Sequence, residues 1–541
     1  MTSMKKYISS ILALGVATLA GAQGLNKEIT IEKEIVPEQR AATRLPVTHS
    51  LITPKVTQTI PTFSSNGVNA GISPELQLLD PAVTADTLTP SPYRGYASLG
   101  YFPSYNLGAS AGYRLIDDSR TLLGAWLQFN GYSYDRDAVT RADNADNKTN
   151  VSDNSFKLGV DFARSLTRTG VLSANFNFGY GKNKFNDDDR YTRTATQFLL
   201  DADWKGTAGA VNYNVGAFGG YFGNSMDENS NSPFSQTTYG GRLGAEYLGL
   251  SLDVSALLSS YSRDVDNVNT ENPGLISINP SYTYKKANLL VHLGLKADFS
   301  INSGKSFRVA PDVRLEYRPD PMFAFYVAAD GGVKVNTMAS VYDISHFISP
   351  TFVYGNSYVP MDLRGGFIVG PFRGGSLEIF GGYAKADDWL MTAYDIMDVE
   401  DVKAWHAGAR LAYNYRDIVA AKASVEFAPS SGNKVYYLWR DRAKTVADIS
   451  VEAHPIDKLT LEAGWELRTG RRLSDELHII GGPELRDLGN VSNLRFGAAY
   501  RITEPFTVFA RGENLLAKKW DLMGWLPANG VCGLVGVSYK F

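Results

Sequence analysis

Cysteine is nearly missing from this chain, since Cys532 is the only one among 541 residues. A single cysteine excludes intrachain disulfides and cysteine-based metal sites. Long apolar runs are also missing: after residue 22, no stretch reaches the roughly 18 uninterrupted apolar residues of a membrane-spanning helix. Neither charge sign dominates, because 53 Lys and Arg stand against 56 Asp and Glu. The chain therefore has no basic field for nucleic acid, and we expect no nucleic-acid partner.

Catalytic motifs are a further absence. None of the six histidines lies in an H-E-x-x-H motif, and the chain has no G-x-S-x-G motif or phosphate-binding glycine loop. A lone histidine in a strand, such as His292 or His406, is more often a polar interior residue than a ligand. We therefore expect no enzyme activity, no cofactor and no metal.

The first 22 residues have the pattern of a secretory signal peptide. Lys5 and Lys6 precede a short apolar run from Ile8 to Leu19, and residues 20–22 form an A-x-A cleavage site. The apolar run is too short to span a membrane as a helix. We predict that residues 1–22 direct export and are removed.

Residues 23–93 differ in composition from everything after them. They contain eight prolines, which favour an extended, stiff chain over a packed domain. We predict an N-terminal extension that lies in the periplasm or in the lumen of a barrel. A short strand at residues 29–35 could pair with the sheet edge of another outer-membrane or periplasmic protein.

From residue 94 onward, apolar and polar residues alternate. Every second residue is apolar in the segments 156–162, 289–299 and 459–467, which is the period of a half-buried strand. The 51 glycines, 30 tyrosines and 26 phenylalanines occur in a chain with a mean hydropathy of −0.18, as expected if only alternate strand residues face lipid. We predict an all-β fold, an antiparallel transmembrane β-barrel of a Gram-negative outer membrane formed by residues 94–541. Its length predicts 20–22 strands, with 16–18 as the alternative.

The chain ends in a strand suited to close such a barrel. Val537, Tyr539 and Phe541 share one face, whereas Ser538 and Lys540 share the other. The first face is predicted to contact outer-membrane lipid, and the strand itself to be recognised by the barrel-assembly machinery.

The connections between the predicted strands are of two lengths. Tight turns are predicted near residues 116–119, 415–417 and 454–458. Long polar connections are predicted at 135–152, 182–190, 224–233, 263–279, 388–401 and 470–489, and residues 338–358 are interpreted as an inserted loop. Short turns on one rim and long loops on the other are typical of outer-membrane barrels.

Many charged residues occupy the strand face opposite the apolar one. Facing lipid, a Lys or Arg at the membrane centre would cost about 2–4 kcal/mol. Because both signs are interspersed, a lattice of ion pairs is favoured over a selective ion path. The predicted lumen-lining residues are Lys157, Asp161, Arg242, Glu246, Asp253, Lys296, Arg314, Glu316, Arg364, Glu378, Glu462, Glu466, Arg495 and Arg511. The eight tryptophans are interpreted as girdles at the membrane boundary, with a sugar-stacking platform as the alternative.

The last third of the chain resembles the barrel of TonB-dependent receptors. The resemblance is carried by Ala510–Trp520, with its Asn-Leu pair and following basic-aromatic step, by Gly524–Ala528, and by Val537–Phe541. It implies a barrel that takes up a solute. Members of that family carry a folded plug domain before the barrel, whereas residues 23–93 are too few and too rich in proline to form one.

Two functions remain open from the sequence. The first is solute transport across the outer membrane by a receptor-like barrel without its plug. The second is a non-transporting barrel that serves as a subunit of an outer-membrane assembly or export complex, with residues 23–93 as its docking strand.

Overall fold

The structure, a computed structural model, describes residues 93–103, 105–139, 148–167, 170–185, 192–226, 234–263, 272–348, 354–372, 374–393, 396–416, 418–429, 439–473 and 487–541. The predicted signal peptide and nearly all of the predicted extension, residues 1–92, lie outside the described residues. Both stay predictions.

The described residues form 24 strands and one short helix. The first eleven strands are β1 Gly95–Phe102, β2 Asn106–Asp117, β3 Thr121–Arg136, β4 Thr149–Thr167, β5 Gly170–Phe185, β6 Thr192–Ala208, β7 Val211–Met226, β8 Phe234–Tyr247, β9 Leu250–Arg263, β10 Gly274–Lys286 and β11 Leu289–Ile301. The next two are β12 Phe307–Asp320 and β13 Phe323–Lys334, followed by the helix α1 Met338–Ile344. The remaining strands are β14 Ser357–Phe372, β15 Gly375–Thr392, β16 Met397–Tyr415, β17 Val419–Phe427, β18 Thr445–Ile456, β19 Leu459–Thr469, β20 Val491–Arg501, β21 Phe506–Glu513, β22 Asp521–Met523, β23 Leu526–Pro527 and β24 Cys532–Lys540.

Twenty-two of these strands form one closed antiparallel barrel. Each strand from β1 to β20 pairs with the next, and β24 pairs with both β21 and β1. Val537 lies opposite Leu99 on β1 and opposite Val508 on β21. The backbone amides of Arg94 and Gly95 each donate to the carbonyl oxygen of Phe541 at 2.8 Å. The prediction of a 20–22-stranded barrel is confirmed, and the alternative of 16–18 strands is wrong.

The two faces of the closing strand differ as the alternation predicts. Val535, Val537 and Tyr539 are 58%, 41% and 48% exposed, whereas Leu534 and Ser538 are buried. Large apolar side chains are exposed in the same alternating way along most barrel strands. In water such a surface would drive aggregation, whereas in hydrocarbon it is stable because a closed barrel satisfies its own backbone. The chain is therefore an outer-membrane barrel.

The two rims of the barrel carry connections of different length. One rim has tight turns, among them Leu248–Gly249 between β8 and β9, where both residues have positive φ angles of 49° and 84°. That conformation suits the twist of a two-residue hairpin. The other rim, called the mouth here, carries the longer connections. Short turns face the periplasm in outer-membrane barrels.

One predicted connection differs from the structure, and one connection was not predicted. The predicted loop at 388–401 is wrong, because β15 and β16 pair as far as Thr392 and Met397 and leave only four residues between them. A connection that the alternation did not reveal, residues 428–444, joins β17 to β18. The insertion predicted at 338–358 is present as residues 335–356 and contains α1.

No helix among the described residues is both long enough and apolar enough to cross a membrane.

Candidate functional site

The connection between β13 and β14, described at residues 335–348 and 354–356, is called the bridging segment. Its helix α1 begins after Thr337, whose Oγ1 accepts a hydrogen bond from the backbone N of Ser340 at 3.1 Å. This N-cap satisfies one of the amides left free at the start of a helix. Met338 and Val341 are buried, so α1 packs against other parts of the barrel.

Hydrogen bonds join the bridging segment to one wall of the barrel. The hydroxyl of Tyr342 donates to Asn183 Oδ1 on β5 at 2.7 Å, and His346 Nδ1 lies 2.7 Å from Asp153 Oδ2 on β4. A backbone amide of α1 donates to Gln236 Oε1 on β8 at 2.7 Å. A helix of seven residues can reach β4, β5 and β8 together only from the concave side of the sheet. The bridging segment therefore lies inside the barrel.

A buried carboxylate is the centre of this contact. Asp153 is 3% exposed and also accepts hydrogen bonds from Tyr132 Oη at 3.2 Å and Asn183 Nδ2 at 2.8 Å. Burial alone lowers the pKa of His346, but the adjacent Asp153 carboxylate outweighs burial and raises it. Burial also raises the pKa of Asp343 on α1. Protonated His346 is thus the form that binds Asp153 best.

The bridging segment also packs against the opposite wall. The hydroxyl of Tyr354 accepts a hydrogen bond from the backbone N of Met397 on β16 at 2.9 Å. An apolar group called the mouth cluster joins β3 and β4 to β15 and β16, which lie on opposite sides of a 22-stranded barrel. Its members are Tyr132, Val151, Val341, Phe347, Ile348, Tyr354, Leu390, Met397, Met523 and Leu526. The segment thus crosses the interior from wall to wall.

The connection before the closing strand also folds over the mouth. Its two short strands β22 and β23 form a hairpin at the place of the Gly-Trp-Leu-Pro-Ala sequence. Asp521 is fully buried, and its Oδ1 accepts a hydrogen bond from the backbone N of Val139 at 2.8 Å. The backbone N of Gly524 donates to the carbonyl oxygen of Ala393, beyond β15, at 3.3 Å. The hairpin therefore connects the strands that close the barrel, β21 and β24, to the wall at β15.

A third connection, described at residues 428–429 and 439–444 and called the inner loop, covers the wall between β15 and β18. Trp439 is fully buried in a cluster with Trp389, Val402 and Ala404. The backbone N of Thr392 donates to the carbonyl oxygen of Arg440 at 2.8 Å. The loop is thus held on the inner face of the sheet by apolar packing and backbone pairing.

Buried ion pairs fix the inner loop further. Arg471 Nε donates to Asp441 Oδ2 at 2.6 Å, and Arg442 pairs with Glu400 on β16. Burial raises the pKa of Asp441, but Arg471 and other nearby guanidinium groups outweigh it and hold that pKa below its ordinary value. Both pairs are almost fully buried, so the loss of one partner would destabilise the inner loop.

A β-bulge directs Trp389 towards the inner loop. The register of β15 on β16 shifts between Ala386 and Trp389, and Asp388 within the shift has a φ of 55°. Ala384 and Ala386 lie on the inner face of β15. Without the extra residue, strict alternation would place Asp388 on that inner face and Trp389 on the lipid-facing side. With it, Trp389 joins the buried cluster of the inner loop.

Eight of the fourteen predicted lumen-lining residues are in ion pairs. These pairs are Arg242 with Asp201 and Asp203, Lys296 with Asp330, Arg314 with Glu316, Arg364 with Asp362, Glu378 with Arg410, and Glu466 with Arg495 and Arg468. They lie in separate groups along the wall, and the structure does not bring them to one centre. This pairing favours the lattice over the ion path, while the lumen-lining role stays a prediction.

The contacts of the other six predicted residues differ from one another. Neutral groups donate to three of them: Trp126 Nε1 to Asp161 at 3.0 Å, Asn212 Nδ2 to Glu246 at 3.4 Å, and Ser251 Oγ to Asp253 at 3.0 Å. Arg511 is 6% exposed, with its guanidinium 5.9 Å from the ring centre of Phe509. Lys157 is exposed and Glu462 is half-buried.

The interpretation of all tryptophans as membrane girdles is wrong for three of them. Trp389, Trp439 and Trp520 are at most 6% exposed, whereas Trp405 and Trp204 are 69% and 41% exposed. The buried three belong to the interior of the mouth. The sequence reasoning also missed His346, for which the single signal was its position in the predicted insertion.

Two other features carry no site. A cavity of about 30 Å³ beside Cys532, lined also by Tyr134, Glu513 and Trp520, is large enough for a water molecule but too small for a solute. Among the described residues, no group of three His, Cys, Asp or Glu side chains is placed to hold a metal ion.

Known structures share this barrel although no sequence relationship is detectable. The chain matches no protein-family model, and no curated protein matches it in sequence. The structure of a double mutant of the ferric enterobactin receptor PfeA from Pseudomonas aeruginosa is similar with a TM-score of 0.62 and 11% identity, over 83% of this chain and 80% of that one. The copper transporter OprC is similar with a TM-score of 0.61 and 13% identity over 83% and 80%.

The FrpB iron transporter from Neisseria meningitidis is similar to the same degree, with a TM-score of 0.62 and 11% identity over 83% of this chain and 81% of that one. These structures are TonB-dependent receptors with a 22-stranded barrel. The resemblance of the last strands to the barrel of TonB-dependent receptors is therefore confirmed at the level of the fold. The comparisons do not bear on a plug.

Proposed function

We propose that this barrel passes a small solute across the outer membrane and that its own connections, rather than a plug domain, narrow the passage. The observation that carries the proposal is the bridging segment, which lies inside a closed 22-stranded barrel and contacts both walls. Similar barrels belong to receptors and transporters for ferric enterobactin, copper and iron, which supports transport as the activity.

The test removes the bridging segment and measures current through single proteins in planar lipid bilayers. Lys334 and Ser357 lie directly opposite each other in the β13–β14 pairing, so a four-residue Gly/Asn turn can replace residues 335–356 without changing the strands. We expect a larger single-channel conductance in this variant than in the unmodified protein. A matched control replaces residues 228–232 with the same turn.

Two results would contradict the proposal. The first is a bridging-segment variant that folds, as judged by heat-sensitive migration in gels, yet conducts no more than the control. The second is the absence of current from both the unmodified protein and the variant. Either result would show that the barrel is not a passage narrowed by this segment.

The second candidate is a barrel subunit of an outer-membrane assembly or export complex. The apolar packing of the mouth cluster favours it, because a barrel whose mouth is closed by packed side chains can serve as a scaffold for other proteins. In that case the protein co-purifies with outer-membrane partners, and deletion of residues 23–92 removes them. Absence of partners together with measurable current would decide for transport.

A further inference from the structure

Two cationic side chains at the mouth meet at one aromatic ring. Arg440 of the inner loop places its guanidinium carbon 5.2 Å from the ring centre of Trp389. Lys334, the last residue of β13, places its Nζ 5.6 Å from the same centre. Both distances fall within the range of cation–π contacts. Because they share one ring centre, the two charges lie within about 11 Å of each other.

Three carboxylates near Trp389 along β15 and β16 are in ion pairs. Glu400, which lies opposite Trp389, pairs with Arg442, Asp387 pairs with Lys385 at 2.8 Å, and Asp388 pairs with Arg308 at 3.1 Å. Within the part of the chain that the structure describes, neither Arg440 nor Lys334 forms an ion pair. Among the described residues, the site therefore offers two cations that have no ion-pair partner.

The two cations differ in their access to solvent. Arg440 is 6% exposed, and its buried Nε has no hydrogen-bond acceptor. Burial, with no acid to oppose it, lowers the pKa of Arg440 to about 10. A buried cation without an acceptor is costly and calls for a water or an ion. Lys334 is exposed, so a ligand can reach the pair.

We propose that Arg440 and Lys334, both in contact with the ring of Trp389, form a binding site for the carboxylate or phosphate group of a small anionic solute at the barrel mouth. A guanidinium presents paired N–H donors that match the two oxygens of such a group, and an ammonium adds a second charge. The indole ring holds both cations in place. The inference rests on the proposed passage and names the class of solute that it takes.

The site brings together residues from three separate parts of the chain. Lys334 comes from the end of β13, Trp389 from beyond the bulge of β15, and Arg440 from the inner loop. The bulge is needed because it turns Trp389 to the inner face. A ligand that bridges Lys334 and Arg440 would thus tie the inner loop to the strand from which the bridging segment leaves.

The test titrates inorganic phosphate into the purified full-length protein in detergent by isothermal titration calorimetry. We expect binding by the unmodified protein and affinity at least tenfold weaker in Arg440→Gln and in Lys334→Gln, since each loses a charged contact. The matched control is Lys385→Gln, which removes the same charge from a cation that already has a carboxylate partner. Its affinity should stay within twofold. Arg440→Lys should recover part of the loss.

Several outcomes would overturn the inference. They are the absence of phosphate binding to the unmodified protein, equal affinity in all variants, and a loss in Lys385→Gln as large as in Arg440→Gln. Heat-sensitive migration in gels checks that each variant is folded.

Bilayer currents separate this inference from the proposed passage. Current without phosphate binding would support the proposed passage and exclude the anion site. Phosphate binding without any current would support the anion site and exclude the proposed passage. With both present, we expect the reversal potential in a KCl gradient to show anion selectivity that Arg440→Gln reduces.

Discussion

Phe347 provides the sharpest test of the bridging segment. Its side chain is 4% exposed within the mouth cluster, beside the buried Ile348. Replacing a buried phenylalanine with alanine removes about 3–5 kcal/mol of packing. Because a tenfold change in an equilibrium corresponds to about 1.4 kcal/mol, Phe347→Ala should shift the balance between docked and undocked segment by about two to four orders of magnitude. The barrel strands, paired independently of this residue, should stay intact.

The assay for this prediction is single-channel recording in planar bilayers. We expect Phe347→Ala to spend more time at a high conductance level than the unmodified protein, and its thermal unfolding temperature to change little. The control is Phe325→Ala, the same change at a residue that is 53% exposed on the outer face. If both variants leave the distribution of conductance levels unchanged, the segment does not control the passage.

Three further predictions concern stability and pH. Glu466→Gln should destabilise the barrel by about 3–5 kcal/mol in urea unfolding, because it removes the charge that pairs with two buried guanidinium groups. Asp253→Asn, at an exposed carboxylate, should change the unfolding free energy by less than about 0.5 kcal/mol. The pKa of His346 is raised beside Asp153, so their contact stabilises the docked segment fully at pH values below the unfolded-state pKa of His346 and loses this effect as pH rises through its folded-state pKa. Mean current should therefore rise from acidic to alkaline pH. A His346→Gln variant that kept this pH dependence would refute the assignment. Val537→Arg should cost about 2 kcal/mol or more of folding free energy in lipid vesicles, and no measurable change would place that residue away from hydrocarbon.

The barrel itself could be predicted because its physical signal is local. Alternation with a period of two marks each strand, and the last residues combine an apolar face with a small and polar one. The strand count followed from the residues available per strand. These features can be recognised without information about contacts between residues that are distant in sequence.

The mouth could not be predicted, because its contacts join residues far apart in sequence. The polar stretch at 388–401 suggested a loop, whereas the strands continue through a bulge there. A single extra residue reverses the faces of everything after it, and no composition signal marks it. Arg440 and Trp389 meet because the inner loop folds back onto β15, which depends on tertiary packing alone.

The seam between β24 and β1 has a consequence for biogenesis. It joins strands at opposite ends of the described chain, more than 400 residues apart, so ring closure must wait for the final residues to be delivered. Until then every shorter intermediate has two open edges that cannot remain in hydrocarbon unprotected. Loss of the last few residues should therefore abolish accumulation of the protein in the membrane rather than merely weaken it.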